Sequence, residues 1–171
     1  MRAAIFLLLC VLAVPDANSA EDDRSLAMSL GGFSGDDTSG VAIGFYSFRS
    51  KSLGWYVNGT LSSRVDKDDD DFRPVPGDIR VDGETESVTV NVGLTLALGP
   101  VTPYVGAGLT QVSEYGLYRA PSAAFWYEEN DDTKANFNVG VLLALHRNFG
   151  LDLGANSAND EWALGLTWRF R

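Results

Sequence analysis

The stretch from Glu161 to Phe170 alternates without a break between large apolar side chains and small or polar ones. Trp162, Leu164, Leu166, Trp168 and Phe170 therefore share one face of a predicted β-strand. Aromatic residues bracket the two leucines, as expected where a strand meets a membrane–water interface at each end and hydrocarbon in between. A tilted strand of this length matches the hydrocarbon thickness of a bilayer. The pattern predicts a membrane-crossing strand.

Similar alternation, bounded by turn residues such as Gly99-Pro100, recurs along the chain and predicts an all-β protein with eight strands. The predicted strands are Ser25–Ser34, Val41–Arg49, Gly54–Val65, Glu84–Leu98, Val101–Tyr115, Ala135–Leu145, Phe149–Ser157 and Glu161–Phe170.

The second face of these strands decides between two architectures. A soluble lipocalin-like barrel would carry Lys and Glu on its solvent face. Here that face carries Gly, Ala, Ser, Thr and Asn, which suit the filled interior of a narrow barrel. The apolar face must then point into lipid. Closure of the barrel pairs the backbone hydrogen-bonding groups of the two edge strands. The prediction is an eight-stranded antiparallel up-and-down transmembrane β-barrel.

The lengths of the connections between the predicted strands alternate along the chain. Every second connection is short, whereas the others include two long segments, Asp66–Gly83 and Gly116–Lys134. This parity predicts short periplasmic turns and two long external loops.

The N-terminus predicts export. A basic start, a short apolar run containing the single cysteine, Cys10, and small residues up to Ala20 are typical of a cleaved signal peptide. We expect residues 1–20 to be this signal and residues 21–171 to form one outer-membrane barrel domain of a Gram-negative envelope, without disulfides.

The hexapeptide Pro103–Gly108, Pro-Tyr-Val-Gly-Ala-Gly, resembles a strand of the small opacity-type outer-membrane barrels, a group that includes the OmpA-like and OmpX-like barrels. The resemblance implies contact with outer-membrane lipid and lipopolysaccharide, and assembly by periplasmic chaperones and the barrel-insertion machinery. It also implies a C-terminal assembly signal at Leu164, Leu166, Trp168 and Phe170. In this chain Arg171 follows the final aromatic residue, which departs from the family pattern.

Composition and charge limit the kinds of partner and of functional site that this chain can have. The chain has a formal charge of −10 and a single histidine, His146, which we place in a periplasmic turn. The acidic balance disfavours nucleic acid as a partner. The runs Asp66–Asp71 and Glu128–Asp132 lack the spacing of an EF-hand loop and are expected to be solvated parts of the external loops. We predict no catalytic residue, metal or cofactor.

Three groups of side chains are predicted to have roles. We expect an aromatic girdle at the two interfaces, inward charges that pair across the lumen, and an apolar external contact cluster. The girdle is Trp55, Tyr104, Trp162, Trp168 and Phe170; the lumen charges are Arg64, Asp152, Glu161 and Arg169; the external contact is Phe125, Trp126 and Tyr127.

The predicted function is a structural or surface-recognition role, with the acidic loops contacting a host or another surface. Two alternatives remain open: an enzyme that modifies lipid A, with a polar catalytic cluster near the outer rim, and a soluble periplasmic binding barrel, which would be released with the soluble fraction.

Overall fold

The computed structural model describes residues 24–35, 38–49, 52–62, 73–121 and 123–170. Within them the chain forms eight strands, and no helix there is long and apolar enough to cross a membrane. The predicted signal peptide lies outside the described residues. The strands are β1 (Arg24–Ser34), β2 (Ser39–Arg49), β3 (Ser52–Ser62), β4 (Ile79–Leu96), β5 (Val101–Arg119), β6 (Ala124–Ala144), β7 (Phe149–Asn156) and β8 (Glu161–Phe170).

The strands form one closed antiparallel barrel in chain order. Closure is made by β1 and β8, which pair from Leu26↔Phe170 to Ser34↔Trp162. The pairing satisfies the backbone groups that would otherwise form two open edges. The eight-stranded up-and-down barrel predicted from the alternation is confirmed.

The two faces of the wall have the predicted orientations. Leu166 and Phe137 lie on the outside, where 57% and 71% of their surfaces are exposed, whereas Thr110 on the inside is fully buried. The interior therefore consists mainly of small and polar groups, with a few aromatic rings. This inside-out distribution does not fit the soluble lipocalin-like alternative, which requires a polar exterior.

The short connections at one end of the barrel follow the predicted turn chemistry. Gly99 adopts a φ of +71° in the β4–β5 turn, a left-handed conformation that favours glycine. At the opposite end the β7–β8 turn places Asp160 at a φ of +46°, which a short polar side chain tolerates better than a β-branched one.

Within the described residues, three strands extend well past their neighbours at this opposite end. The pairing of β3 with β4 begins at Leu61↔Val88, but β4 and β5 stay paired as far as Ile79↔Arg119, and β5 and β6 as far as Arg119↔Ala124. We call residues 79–87, 112–119 and 124–132 the extension. Its outer face lies on the same side of the wall as the exposed apolar residues of the barrel, and its inner face lies on the side of the lumen.

The extension corrects the prediction of a second long loop. Residues 116–134 are almost entirely paired strand, and only residues 120–123 connect β5 to β6. Aromatic and β-branched residues in this segment favour paired strands, although its charges suggested a loop. Of the first predicted loop, residues 79–83 also belong to β4, and residues 63–72 lie outside the described residues.

Candidate functional site

Three tyrosines fill the middle of the lumen. The rings of Tyr46, Tyr56 and Tyr104 lie 4.8–5.7 Å apart between centroids, and each is at most 3% exposed. The hydroxyls of Tyr46 and Tyr104 donate to the two carboxylate oxygens of Asp152 at 2.5 and 2.9 Å. The cluster therefore blocks the lumen and satisfies a buried acid with neutral donors.

A layer of amide side chains lies above the tyrosines, toward the extension. The Asn136 amide donates to Asn91 at 2.7 Å and to Asn156 at 3.0 Å, and Tyr56 donates to Asn138 at 2.7 Å. Because each amide both donates and accepts, the layer satisfies most of its polar groups internally, and Asn156 also donates to a carboxylate.

Glu161 lies at the top of the lumen and is only 2% exposed. It accepts hydrogen bonds from Thr60 at 3.1 Å, from Ser87 at 3.2 Å and from the Asn156 amide at 3.1 Å. At the other end of the barrel the Arg169 guanidinium lies 4.9 Å from the centre of the Phe48 ring, within the range of a cation–π contact.

Among the three lumen charges that the structure describes, no acid pairs with a base, and the predicted pairing with Arg64 stays a prediction. Asp152 and Glu161 both bond to neutral donors, and Arg169 stacks on a ring. Arg64 lies outside the described residues. The physical reason is that a hydroxyl- and amide-rich interior can satisfy a carboxylate by hydrogen bonding.

One small cavity remains in the lumen. Its volume is about 20 Å³, and its lining includes Ser29, Asn58, Thr60 and Asp152. A polar space of this size suits a water molecule. Around this cavity the lumen is filled by side chains and has no room for a substrate.

The inner face of the extension carries an ion pair. Arg80 on β4 contacts both carboxylate oxygens of Glu129 on β6, at 2.9 and 3.0 Å. The hydroxyl of Tyr118 donates to the same carboxylate at 2.6 Å. This hydrogen bond, with help from Arg80, lowers the pKa of Glu129 below its ordinary 4.5. The same bond raises the pKa of Tyr118 above 10.0.

The predicted external contact cluster is divided between two faces. Phe125 stacks on Tyr118 at 6.1 Å, and Tyr127 meets the same ring edge-on at 6.4 Å, so both lie on the inner face. Trp126 lies between them on the strand and therefore points to the outer face. The three aromatic residues form part of a sheet, and the prediction of a single loop cluster is wrong.

The outer face of the extension has a regular chemical pattern. The register places Glu86, Ser113 and Asp131 in one row across the three strands, and Glu84, Tyr115 and Glu128 in the next. The third row holds Asp82, Leu117 and Trp126. Acidic residues thus form columns on β4 and β6, and a neutral column on β5 separates them.

Neutral groups hold several of these acids in place. Asp131 accepts from Gln111 at 3.1 Å and from Ser113 at 3.4 Å, and Glu128 accepts from Tyr115 at 3.4 Å. The backbone amide of Gly83 donates to Asp82 at 2.8 Å. Such bonds orient the carboxylates and leave their negative charge in place. Sequence reasoning placed Glu84, Glu86 and Tyr115 in strands but missed this surface, because it treated Asp82 and Trp126 to Asp131 as parts of loops.

The predicted girdle requires one correction. Trp162, Trp168 and Phe170 lie on the outside, 45–59% exposed, and Trp55 lies on the outer face of β3. Tyr104 instead lies in the lumen, because β5 places its even-numbered side chains inward. Phe149 was not predicted, but it is exposed beside Trp168 with ring centroids 5.0 Å apart.

The remaining candidate residues form no catalytic or metal-binding site within the part of the chain that the structure describes. His146 is exposed in the β6–β7 turn. The acids from Glu128 to Asp132 lie on β6, while Asp66 and Asp68–Asp71 lie outside the described residues. Among the side chains that the structure describes, no three His, Cys, Asp or Glu residues are grouped to hold a metal ion.

Comparison with known proteins gives one family and a set of structural neighbours. The family model described as "Outer membrane protein beta-barrel domain" matches residues 4–170. No curated protein matches the chain. The crystal structure of Ail, the attachment invasion locus protein of Yersinia pestis, superimposes with a TM-score of 0.58 at 16% identity, covering 86% of this chain and 96% of Ail.

Two further structures of the same protein are similar. Ail in complex with the heparin analogue sucrose octasulfate gives a TM-score of 0.57 at 15% identity, covering 86% of this chain and 96% of that one. Ail in a phospholipid bilayer nanodisc gives 0.52 at 16% identity, covering 85% and 99%. At these identities the likeness shows the fold alone.

Proposed function

Since the chain belongs to the family of outer membrane protein beta-barrel domains, we propose that it is a non-enzymatic barrel of the Gram-negative envelope that presents a recognition surface outside the cell. The family implies an outer-membrane location. Export through a cleaved signal at residues 1–20, with residues 21–171 as the mature domain, remains part of the proposal.

The main support for this proposal is the extension. Residues 112–119 of β5 span roughly 27 Å at the usual rise of a β-strand, and the two flanking strands match them. A sheet of this height displays side chains on two faces beyond the lipid, whereas the blocked lumen has no space for a ligand. Recognition by the extension is therefore the role that the geometry supports best.

The chemistry of the extension suggests a different ligand class from that of Ail. Ail has been crystallised with a heparin analogue, a polyanion. The extension of this chain carries eight carboxylates against two arginines, a formal charge of −6. Because like charges repel, we propose attachment to a surface that is not polyanionic.

The barrel wall is proposed to meet the remaining partners. Its exposed aliphatic band would contact outer-membrane lipid and lipopolysaccharide, with Trp55, Trp162, Trp168 and Phe170 at the interfaces. Leu164, Leu166, Trp168 and Phe170 are proposed as the signal read by the insertion machinery, after delivery by periplasmic chaperones.

A shortened extension tests the proposal. Ser113 and Asp131 are direct partners, so replacing residues 114–130 with an Asn-Gly turn closes the hairpin without disturbing the barrel. Cells expressing this variant should retain a heat-modifiable barrel in the membrane fraction and lose adhesion to host-cell and matrix-protein surfaces. Equal adhesion by both proteins would refute a recognition role.

The absence of enzymatic activity is tested separately. Mass spectra of lipid A from cells with and without the gene should be identical. A modified lipid A that depends on the gene would favour the lipid-modifying alternative.

A further inference from the structure

We propose that the small cavity in the middle of the lumen binds a monovalent cation of the size of sodium, with the Asp152 carboxylate as its charged ligand. Asp152 is only 8% exposed and lines this cavity, whose volume is about 20 Å³. A space of this size holds one water molecule, and a sodium ion is no larger. The inference concerns the core of the barrel and does not depend on recognition by the extension.

The contacts of Asp152 suit the ionised carboxylate. Tyr46 donates to Oδ2 at 2.5 Å and Tyr104 donates to Oδ1 at 2.9 Å. Both carboxylate oxygens therefore accept a hydrogen bond, whereas a protonated acid would turn one of them into a donor. Because hydrogen bonds to the charged form favour that form, the two tyrosines place a negative charge in the middle of the lumen.

This buried charge needs a counter-charge. Removal of a carboxylate from water is costly unless the charge is paired. Within the part of the chain that the structure describes, the side chains that donate to Asp152 are neutral, and no basic group lies within ion-pair distance of it. A cation in the adjoining cavity supplies the missing positive charge.

The lining of the cavity offers further oxygen atoms to a cation. Ser29 and Thr60 contribute hydroxyl groups, and Asn58 contributes an amide. Thr60 donates its proton to Glu161 at 3.1 Å, so the lone pairs of its oxygen remain available. Oxygen dipoles replace the hydration shell of alkali cations in channels and transporters. The lining therefore has the ligand chemistry that sodium requires.

Small residues keep the space beside Asp152 open. Gly165 lines the cavity, and a methyl group added there would come within 2.6 Å of the Ser29 hydroxyl oxygen. Ala163 lies two residues earlier on β8 and lines the same cavity. A larger side chain at position 163 would therefore fill the space without removing the carboxylate.

Other occupants fit the cavity less well. A calcium ion takes six to eight oxygen ligands, several of them from carboxylates, and Asp152 is the only carboxylate among the lining residues. An anion would be repelled by the same charge. A water molecule fits the volume but leaves the carboxylate without a counter-charge, so water is the outcome that the experiment has to exclude.

Refolding in two salts tests the proposal. The protein is refolded from urea into micelles of an uncharged detergent, in sodium chloride or in choline chloride of equal ionic strength, near neutral pH. Choline is too large for the cavity, and equal ionic strength keeps the screening of surface charges the same. The unfolding equilibrium is measured by urea titration, and the line width of the sodium-23 resonance reports binding directly.

The variants separate the cavity from other sites. Asp152→Asn removes the charged ligand and retains the shape of the side chain, whereas Asp132→Asn makes the same chemical change at an exposed position in the extension. We expect sodium to lower the unfolding equilibrium constant about tenfold relative to choline in the wild type and in Asp132→Asn. The ratio should fall below about twofold in Asp152→Asn, which should also lose the sodium-23 broadening.

A second variant keeps the test decisive if Asp152→Asn fails to give a heat-modifiable barrel. Ala163→Val fills the cavity and leaves the carboxylate in place, so it should lose the difference between the two salts. Equal stability of the wild type in sodium and choline would overturn the proposal and assign the cavity to water. A sodium effect that persists in Asp152→Asn or in Ala163→Val would overturn it as well, because the ion would then bind elsewhere.

Discussion

Two buried carboxylates in this barrel accept hydrogen bonds from neutral donors. Asp152 receives two tyrosine hydroxyls, and Glu161 receives hydroxyl and amide groups from Thr60, Ser87 and Asn156. Hydrogen bonds to a charged group contribute more than neutral ones. Each of these carboxylates therefore links several lumen residues through hydrogen bonds. The loss of one carboxylate would leave several donors without an acceptor.

Removal of the Asp152 carboxylate tests this dependence. Asp152→Ala leaves two buried tyrosine hydroxyls without acceptors and should lower the free energy of unfolding by about 3 kcal/mol, measured by urea titration in detergent micelles. Asp152→Asn keeps one acceptor oxygen and serves as the control, with a smaller loss. In the Asp152→Ala background, Tyr104→Phe should cost less than it does in the wild type; an unchanged cost would contradict the direct contact.

The orientation of Leu166 can be tested by a charge. Leu166 is 57% exposed at the middle of β8, so Leu166→Arg should destabilise the inserted barrel by about 2 to 4 kcal/mol. Leu117→Arg places the same charge on the same side of the wall but in the extension, where it should leave barrel stability unchanged. Equal stability of the two variants in lipid vesicles would mean that Leu166 does not face hydrocarbon.

At the scale of elements, the extension shows what the sequence could and could not predict. The strands of the barrel follow from alternation in residues such as those of β8, because a wall with lipid on one side and a narrow lumen on the other imposes that pattern. Beyond the lipid both faces meet water, so Tyr115 to Glu128 no longer alternate in polarity, and an exposed strand resembles a loop. The lumen position of Tyr104 was missed for a related reason, since an aromatic residue suits either side of the wall.

The extension should depend on pH through the contact among Arg80, Tyr118 and Glu129. The pKa of Glu129 is lowered, so its stabilising contribution is present above its ordinary 4.5 and is lost as pH falls through the lowered value. The pKa of Tyr118 is raised, so its contribution is present below 10.0 and is lost as pH rises through the raised value.

Amide chemical shifts in nanodiscs would measure this dependence. At acid pH the amides of residues 116–119 and 125–129 should shift while those of β8 stay fixed. In Glu129→Gln the acid transition should disappear. A transition of the same size in that variant would assign it to another group.

At the scale of the whole molecule, the barrel is filled inside and taller on one side. Tyr46, Tyr56 and Tyr104 close the middle of the lumen, and the cavity beside them has a volume of about 20 Å³. Among the described residues, the wall extends past its neighbours along β4, β5 and β6. The molecule thus combines a barrel whose lumen is blocked by side chains with an extension that presents its side chains on one side of the barrel.

Conductance measurements test the seal. Wild-type protein in a planar lipid bilayer should give no channel steps, because an eight-stranded wall filled by side chains leaves no aqueous path. Tyr46→Ala/Tyr104→Ala should produce small steps if the double variant remains heat-modifiable. Porin-sized steps from the wild type would show that the lumen opens in the membrane.

The packing of glycines against the Tyr104 ring limits which substitutions this sequence can accept. Gly140 and Gly154 lie where any added methyl group would collide with the Tyr104 side chain. At Gly140 the methyl group would also meet the backbone oxygen of Leu153, so a smaller ring would not be enough there. An alanine at position 154 would be tolerated only after the ring had shrunk, and a smaller residue at position 104 would leave a void that a larger neighbour could fill. Among descendants of this gene, positions 104 and 154 should therefore change together, with the size lost at one recovered at the other.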